Sequence, residues 1–397
     1  MKVVVMGAGL AGVTTAWYLA KNGHEVVVID REPEVASAAS YGSTGIIAAS
    51  RAYPWTAAEI GQPLRRFDPE FWVWGVQHLV LRSGRSYRRV LEAKVRLVRY
   101  SQEVMRELVA ELGFPLKRGV LYLYRDANEL QSAWERAATM RSLGFTIEKL
   151  QAPAIAALEP ALDVSRLAGA VYAPQDEAGD AAHFCRTLAA QCRTRGVSFY
   201  LENEILSIEP IDVRIREVVT RRGRVRADAF VCALGVMDRK LREQLGTQVP
   251  VYPVKGFSAT LPIVDPQRAP KHAAIDETRR VAFAPMGEEL RVTGGAQFAG
   301  YGREHEPQHF ATLFDTLKQL YPGAVDYARA RMRACQRPMT PETTPRFGTG
   351  RYQNLWFNIG LGHMGFAMCA GAARITAELL SGNSAPIDLE GLRIRRH

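Results

Sequence analysis

Residues 7–12 read Gly-Ala-Gly-Leu-Ala-Gly, and this stretch decides the fold. A short apolar run at 2–6 precedes it, and helical periodicity over 10–22 follows it. A second apolar run at 25–30 then ends in Asp30. Short apolar runs of this kind are typical of buried strands. The three pieces together predict a β-α-β unit in a parallel sheet.

The glycines of this turn each have a physical role. Gly7 permits the tight turn, Gly9 lets the backbone approach a pyrophosphate, and Gly12 lets the helix pack closely on the strand. The helix N-terminus offers free N–H groups and a partial positive charge to phosphates. Asp30 can accept hydrogen bonds from a ribose diol. The turn therefore predicts a dinucleotide site.

Two further segments favour FAD over NAD. Arg31 is followed by a loop rich in serine, threonine and glycine, which suits a long cofactor. A second glycine-rich segment, 360–365, opens another helix near the C-terminus. Its amides can face the edge of a flavin ring that gathers negative charge on reduction.

The remaining elements predict an α/β fold, with a Rossmann-like FAD-binding domain and an interleaved α+β substrate domain on a mainly antiparallel sheet. Buried-strand patterns resembling those of the first unit recur at 230–234 and 355–358, whereas 250–262 and 280–296 are strand-rich. We predict a discontinuous FAD-binding domain and a substrate or cap domain. The first comprises 1–55, 176–240 and 330–397, and the second comprises 56–175 and 241–329.

Composition narrows the class of protein. The chain has 397 residues and a formal charge of +10. A nucleic-acid partner, an anionic membrane surface and a solvated arginine-rich surface all fit that charge. Because the basic residues are dispersed, the solvated surface is favoured, the membrane is second, and no nucleic-acid partner is expected. We expect a cytoplasmic protein, with the inner face of the cell membrane as the alternative location.

The cysteines form no Cys-x-x-Cys pair. This spacing argues against a metal site and against a disulfide framework. The five positions are Cys185, Cys192, Cys232, Cys335 and Cys369.

Several segments, in order along nearly the whole chain, resemble one family. They are Met1 to about Asp30, Tyr252-Pro-Val-Lys-Gly-Phe-Ser258, Arg337-Pro-Met-Thr-Pro341 and Asn354-Leu-Trp-Phe-Asn358. These segments look like the small subunit of bacterial D-amino-acid dehydrogenases, within the D-amino-acid-oxidase-like FAD superfamily. The resemblance implies FAD, oxidation of an α-amine of an amino acid to an imine, and electron transfer to a quinone or another acceptor, with peripheral membrane association.

The resemblance also implies site residues. Arg337 falls where related oxidases carry the arginine that grips the substrate carboxylate. Tyr252 and Lys255 fall on the strand that lines the substrate side, and His363 lies in the turn beside the flavin. The predicted cofactor-binding residues are Gly7, Ala8, Gly9, Leu10, Ala11, Gly12, Asp30, Arg31, Ser40, Ser43, Thr44, Gly45, Ile205, Ala233, Gly235, Cys335, Gly360, Gly362, His363, Met364 and Gly365.

The chain departs from the family pattern at several positions. Ser43 stands where the family usually has Asn, and Glu342 stands where it has Asp. Cys335 lies two residues before Arg337, where sarcosine-oxidase-like members carry a cysteine joined to the flavin. An ordinary buried thiol and non-covalent FAD are favoured over such a link. The alternative functions are an oxygen-using glycine, sarcosine or proline-type amine oxidase and the FAD module of an RNA-modifying enzyme.

Overall fold

The computed structural model describes residues 1–55, 68–81, 84–247 and 249–394. Within them the helices are α1 (Leu10–Lys21), α2 (Pro69–Val80), α3 (Gly84–Leu112), α4 (Ala127–Ser142), α5 (Ala152–Leu158), α6 (Ala181–Thr194), α7 (Arg239–Leu245), α8 (Ala311–Leu320) and α9 (Gly365–Leu380). The strands are β1 (Lys2–Met6), β2 (Glu25–Ile29), β3 (Ile46–Ile47), β4 (Lys117–Tyr124), β5 (Glu148–Leu150), β6 (Gly169–Ala178), β7 (Ser198–Tyr200), β8 (Ile205–Ile211), β9 (Arg214–Thr220), β10 (Gly223–Arg226), β11 (Ala229–Cys232), β12 (Tyr252–Pro262), β13 (Ala273–Asp276), β14 (Val281–Met286), β15 (Glu289–Gln297), β16 (Arg331–Met339), β17 (Arg346–Thr349) and β18 (Leu355–Ile359).

A six-stranded sheet forms around the first strand, in the order β17-β18-β11-β1-β2-β7. All its pairs are parallel except β17–β18. Val3 and Val5 face α1, α6 and α9, whereas Val4 faces the small sheet β10-β9-β8 on the other side. Burial on both faces explains why β1 has no polar alternation. The predicted Rossmann-like fold is confirmed.

The second large sheet has nine strands, in the order β16-β12-β15-β14-β13-β4-β6-β3, with β5 also paired to β6. Its pairs are antiparallel except β13–β4. The predicted mainly antiparallel sheet is therefore confirmed. The edge strand β16 pairs along its whole length with β12, with Val254 opposite Arg337 and Gly256 opposite Cys335. This pairing brings the substrate-side segments of the sequence together.

The chain passes between the two large sheets several times. Short β3 and all of β16 belong to the nine-stranded sheet, although the sequence prediction put 1–55 and 330–397 in the FAD-binding domain. Sheet membership alone does not set a domain boundary, so the predicted bounds stay a prediction. Residues 56–67, which begin the predicted cap domain, lie outside the described residues.

A buried carboxylate links two strands of the nine-stranded sheet, β6 and β4, to the segment that follows β3. Asp176 in β6 is fully buried and accepts hydrogen bonds from Ser50 N at 2.9 Å and Ser50 Oγ at 2.6 Å. It also accepts one from Tyr122 Oη at 2.6 Å. Burial raises the pKa of Asp176 to about 6, because the charged form loses its hydration.

Asp176 should therefore make stability fall with rising pH. Between its unfolded pKa of about 3.9 and its folded pKa of about 6, the folded state binds the extra proton. The free energy of unfolding of the wild type, relative to Asp176→Asn, should drop by about 3 kcal/mol from about pH 3 to about pH 7. Urea unfolding at several pH values measures this difference. A difference that stays constant with pH would contradict the raised pKa.

Candidate functional site

One cleft of about 450 Å³ contains most of the predicted site. It runs along the carboxyl ends of β1, β2, β11 and β18, where ligands bind in open parallel sheets. It then extends to the paired strands β12 and β16, where Gly256 and Arg337 line it. The cleft thus connects the dinucleotide turn with the predicted substrate arginine.

The turn after β1 is built for close approach of backbone to backbone. Gly7 has a φ of +109°, and its amide donates to Ile29 O at 2.8 Å. A Cβ at Gly7 would lie 2.8 Å from Ala233 O. A Cβ at Gly12 would lie 1.7 Å from Gly7 O, so the helix rests directly on the turn. The roles predicted for these two glycines match this geometry.

The N-terminus of α1 is suited to an anion. Its N-cap is Gly9, which supplies no capping side chain, and its first turn holds no acidic residue. Leu10 N donates to Ser40 Oγ at 3.1 Å. The positive end of the helix dipole therefore faces the cleft, and no acidic side chain of the helix's own first turn neutralises it.

Asp30 closes the same end of the cleft. Its Oδ2 accepts from Ala8 N at 2.6 Å, and its Oδ1 accepts from Glu32 N at 2.8 Å. Burial raises the pKa of Asp30, and the two amides partly oppose this rise. The carboxylate is thus fixed beside the turn, where a ribose diol would lie.

The loop over 40–45 crosses from this end towards the nine-stranded sheet. Ser40 and Ser43 line the cleft, and Ser43 Oγ accepts from Gly45 N at 3.0 Å. Thr44 Oγ1 instead lies 2.5 Å from Thr293 Oγ1, outside the cleft lining. Buried Arg291 donates to the carbonyl of Ser43 at 3.2 Å. Thr44 and Gly45 therefore anchor the loop.

The residues at the far end also fit a flavin. His363 and Asn358 both line the cleft. Each has a buried polar atom, His363 Nδ1 and Asn358 Oδ1, that makes no hydrogen bond within the described part of the chain. Buried polar atoms are normally satisfied, so unpaired ones beside a cleft indicate a missing ligand. Together with the turn at Gly7, which suits an anion, these two atoms fit FAD, which carries a charged pyrophosphate in its middle and a polar flavin ring at its end.

Arg337 lies where the cleft meets β12 and β16. A Cβ on Gly256 would lie 2.4 Å from Arg337 Nη1, so the guanidinium lies over the bare backbone of that glycine. Nη1 donates to Gly295 O at 2.8 Å. Among the described residues, no carboxylate lies within 4.0 Å of Arg337. Burial lowers the pKa of its guanidinium, which nevertheless stays charged at neutral pH.

His363 faces this arginine from the turn after β18. Its ring centroid lies 4.9 Å from that of Trp55. Burial, Lys94 and Arg337 hold the pKa of His363 well below its usual value. The imidazole is therefore neutral, with one nitrogen free to accept and the other to donate a hydrogen bond.

Tyr252 and Lys255 make contacts that the sequence did not predict. Tyr252 Oη donates to Asp68 Oδ2 at 2.6 Å, and Lys255 Nζ donates to Glu304 O at 3.1 Å. Neither residue lines the cleft. Gly300 N donates to Tyr252 Oη at 3.2 Å, so both side chains hold the segment over 298–305. Their direct roles on substrate stay predictions, and the structure gives them a positioning role.

Most predicted cofactor-binding residues line the cleft, and four do not. The lining ones are Gly7, Ala8, Gly9, Leu10, Ala11, Asp30, Arg31, Ser40, Ser43, Ile205, Ala233, Gly235, Cys335, Gly360, Gly362, His363 and Gly365. The others are Gly12, Thr44, Gly45 and Met364. Met364, which immediately precedes α9, belongs to the same hydrophobic core cluster as the buried residues Phe366 and Ala367 of that helix.

A protein family described as FAD dependent oxidoreductase matches residues 2–379. This chain belongs to that family. The D-amino acid dehydrogenase of Rhizorhabdus wittichii is 37% identical to it, over 100% of both chains. The D-amino acid dehydrogenase of Paramagnetospirillum magneticum is 35% identical, over 100% of this chain and 99% of its own. The resemblance found in the sequence is confirmed.

The fold of this FAD-dependent oxidoreductase is shared more widely. Glycine oxidase from Geobacillus kaustophilus superimposes with a TM-score of 0.80 at 20% identity, over 100% of this chain and 98% of its own. At that identity the likeness concerns the fold. Among the residues that the structure describes, no helix is both long and apolar enough to cross a membrane.

Sequence reasoning missed part of the cleft wall. Gln336 Nε2 donates to Gly300 O and Gly302 O, both at 3.3 Å, beside the residues already predicted. Arg303 lines the cleft and pairs with Glu32 Oε1 at 3.0 Å, across from the substrate strands. The only signal available was the position of Gln336 next to Arg337. Nothing in the local sequence marked Arg303.

His363 should not titrate near neutral pH. Because burial and two cations disfavour its charged form, its ring resonances should stay constant between about pH 6 and about pH 8. Nuclear magnetic resonance of histidine-labelled holoprotein measures this, with His363→Gln to assign the signal. A midpoint for His363 within that range would contradict the prediction.

Proposed function

We propose that this chain is an FAD-dependent dehydrogenase that oxidises the α-amine of D-amino acids. The substrate loses two electrons and two protons and becomes an imine. Water then converts the imine into a 2-oxo acid and ammonia. The observation that carries the proposal is Arg337, a cation in the cleft with no described acidic partner.

Arg337 would bind the substrate carboxylate. A guanidinium matches a carboxylate with two parallel hydrogen bonds, which fix orientation as well as distance. Its support by Gly295 O and by bare Gly256 keeps it pointing in one direction. The α-carbon of the amino acid is thereby placed at a defined distance from the cation.

The positive surroundings would also prepare the amine. Oxidation requires the neutral amine, and a nearby cation in a buried site lowers an ammonium pKa. The acidic residues that line the cleft belong to its dinucleotide end, namely Asp30, Glu32, Glu34, Glu204 and Asp238, as far as the described residues extend. Neutral His363 can accept a hydrogen bond from the amine without adding charge. The Trp55 ring packs beside His363 at 4.9 Å between centroids, with the two planes tilted by 33°.

FAD, when bound, supplies the two-electron acceptor for the substrate C–H bond. The residues that would hold it are the Gly7 turn, Asp30, Ser40 and the 360–365 segment. We place its pyrophosphate at the N-terminus of α1, because phosphates favour that end of a helix.

We further propose that FAD is bound without a covalent link. Cys335 lines the cleft, and its Sγ packs so closely on Gly42 that a Cβ there would lie 2.3 Å from it. Burial raises the pKa of the Cys335 thiol despite four nearby arginines, which disfavours the reactive thiolate. Acid precipitation should therefore leave all the yellow colour in the supernatant. Flavin retained on the precipitated protein, and lost in Cys335→Ser, would show a covalent link instead.

The acceptor we propose is a quinone, reached at the inner face of the cell membrane. The full-length relatives reported above are named dehydrogenases, whereas the glycine oxidase is similar only in fold. A dehydrogenase needs an acceptor other than oxygen.

Anaerobic flavin bleaching tests the function directly. Paired D- and L-amino acids, glycine, sarcosine and proline would be mixed with holoprotein, and absorbance would be followed. We expect bleaching by D-amino acids, recovery on addition of a soluble quinone, and little peroxide in air. No bleaching by any D-amino acid would refute the substrate class, and peroxide equal to the substrate consumed would refute the acceptor.

A further inference from the structure

The outer face of α2 is an unusual surface for this chain. Trp72, Val73, Val76, Leu79 and Val80 are each more than half exposed. Their spacing of three, four and seven residues places them along one side of the helix. The other exposed large apolar residues of the described chain are dispersed over several elements. A contiguous exposed apolar stripe of this kind marks an interaction site.

The inner face of α2 is firmly attached to the site. Trp74 Nε1 donates to Met339 O at 2.8 Å, and His78 Nδ1 lies 2.7 Å from Pro341 O. Asp68 caps the helix and accepts from Tyr252. The exposed stripe is therefore a fixed face, held against the end of the strand that carries Arg337.

The charged residues around α2 indicate which kind of surface its exposed face fits. Its acidic residue Glu70 is neutralised by Arg242 at 2.6 Å. Exposed Lys240 lies on α7, the helix that supplies Arg242, and exposed Arg85 and Arg88 begin α3 just after α2. Within the described residues these three cations form no salt bridge. An apolar stripe with exposed cations on the helix that contacts it and on the helix that follows it complements an anionic lipid surface.

We propose that the exposed face of α2 docks the protein on an anionic lipid bilayer. This inference rests on the proposed function, in that a quinone dissolved in the bilayer would be the acceptor. Twelve residues are too few to span a bilayer, so the helix lies in the interface with its apolar face in the acyl region. The substrate end of the cleft then faces the membrane through α2.

Vesicle flotation of the holoprotein tests this surface. The vesicles contain phosphatidylglycerol and phosphatidylethanolamine, with pure phosphatidylcholine for comparison. Trp72→Glu/Val76→Glu should weaken binding by about tenfold or more, since two charges enter the apolar face. The matched control Leu206→Glu/Val264→Glu changes two apolar residues of similar exposure elsewhere, 48% and 58% against 54% and 57%, and should bind as wild type. Retained flavin absorbance confirms that each variant is folded.

The outcomes separate the surface from the function. Wild-type protein that does not float, or an α2 variant that floats as wild type, would overturn the proposal. So would an α2 variant that turns a dimer into a monomer in light scattering, because the face would then join two copies. D-amino-acid oxidation with a water-soluble dye should be equal in all variants. If the wild type itself does not oxidise D-amino acids with the dye, the proposed function is refuted, whatever the result of the vesicle flotation.

Discussion

Replacing Arg337 with alanine is expected to raise the Michaelis constant for D-amino acids about a hundredfold. The variant loses a charge-assisted pair of hydrogen bonds to the carboxylate, each worth about 1.5–3 kcal/mol, and about 2.7 kcal/mol corresponds to a hundredfold. Arg303 and Arg333, which also line the cleft, stay in place in this variant. Steady-state kinetics with a soluble dye acceptor measure the change.

Two controls isolate the carboxylate contact. Arg337→Lys keeps the charge but loses the planar fork, so its Michaelis constant should fall between those of the wild type and alanine variants. Arg331→Ala removes an arginine from the same strand that pairs with Glu289 at the surface, and should leave the constant unchanged. FAD content should stay equal in all three. An unchanged constant in Arg337→Ala would remove this residue from the substrate site.

The sequence predicted the parallel part of the fold well because its signals are local. β1 and β2 are buried on both faces, so their apolar runs need no long-range information. Strand β16 gave no such signal. It lies at a sheet edge and carries Arg331, Arg333 and Arg337 on a partly exposed strand, so its apolar pattern is broken.

The structure places most of the predicted site residues in one cleft, but it does not give Tyr252 and Lys255 the contacts that were expected of them. The cleft brings Gly7, Arg337 and His363 together, as the resemblance implied. Tyr252 and Lys255 differ because their partners, Asp68 and Glu304, lie far away in sequence. A hydrogen bond across that separation depends on tertiary packing, which no local motif encodes. The exposed stripe of α2 likewise becomes visible only when the burial of its inner face is known.

Replacing Gly12 with alanine is expected to weaken FAD binding about a hundredfold. The new Cβ would lie 1.7 Å from Gly7 O, close to the length of a covalent bond, and no rotamer change can move that backbone atom. Helix α1 must then shift away from the turn, and overpacking of this kind costs about 1–3 kcal/mol. The shift also moves the amides that would bind the pyrophosphate. Fluorescence titration of the apoprotein with FAD measures the affinity.

A second helical glycine provides the control for this prediction. A Cβ at Gly75 in α2 would lie 3.7 Å from Phe71, an ordinary contact. Gly75→Ala should therefore keep FAD affinity and gain up to about 1 kcal/mol of stability from helix propensity. Thermal unfolding of both apoproteins separates a folding defect from a binding defect. If Gly12→Ala binds FAD as tightly as Gly75→Ala, the contact between the helix and the turn does not set the cofactor site.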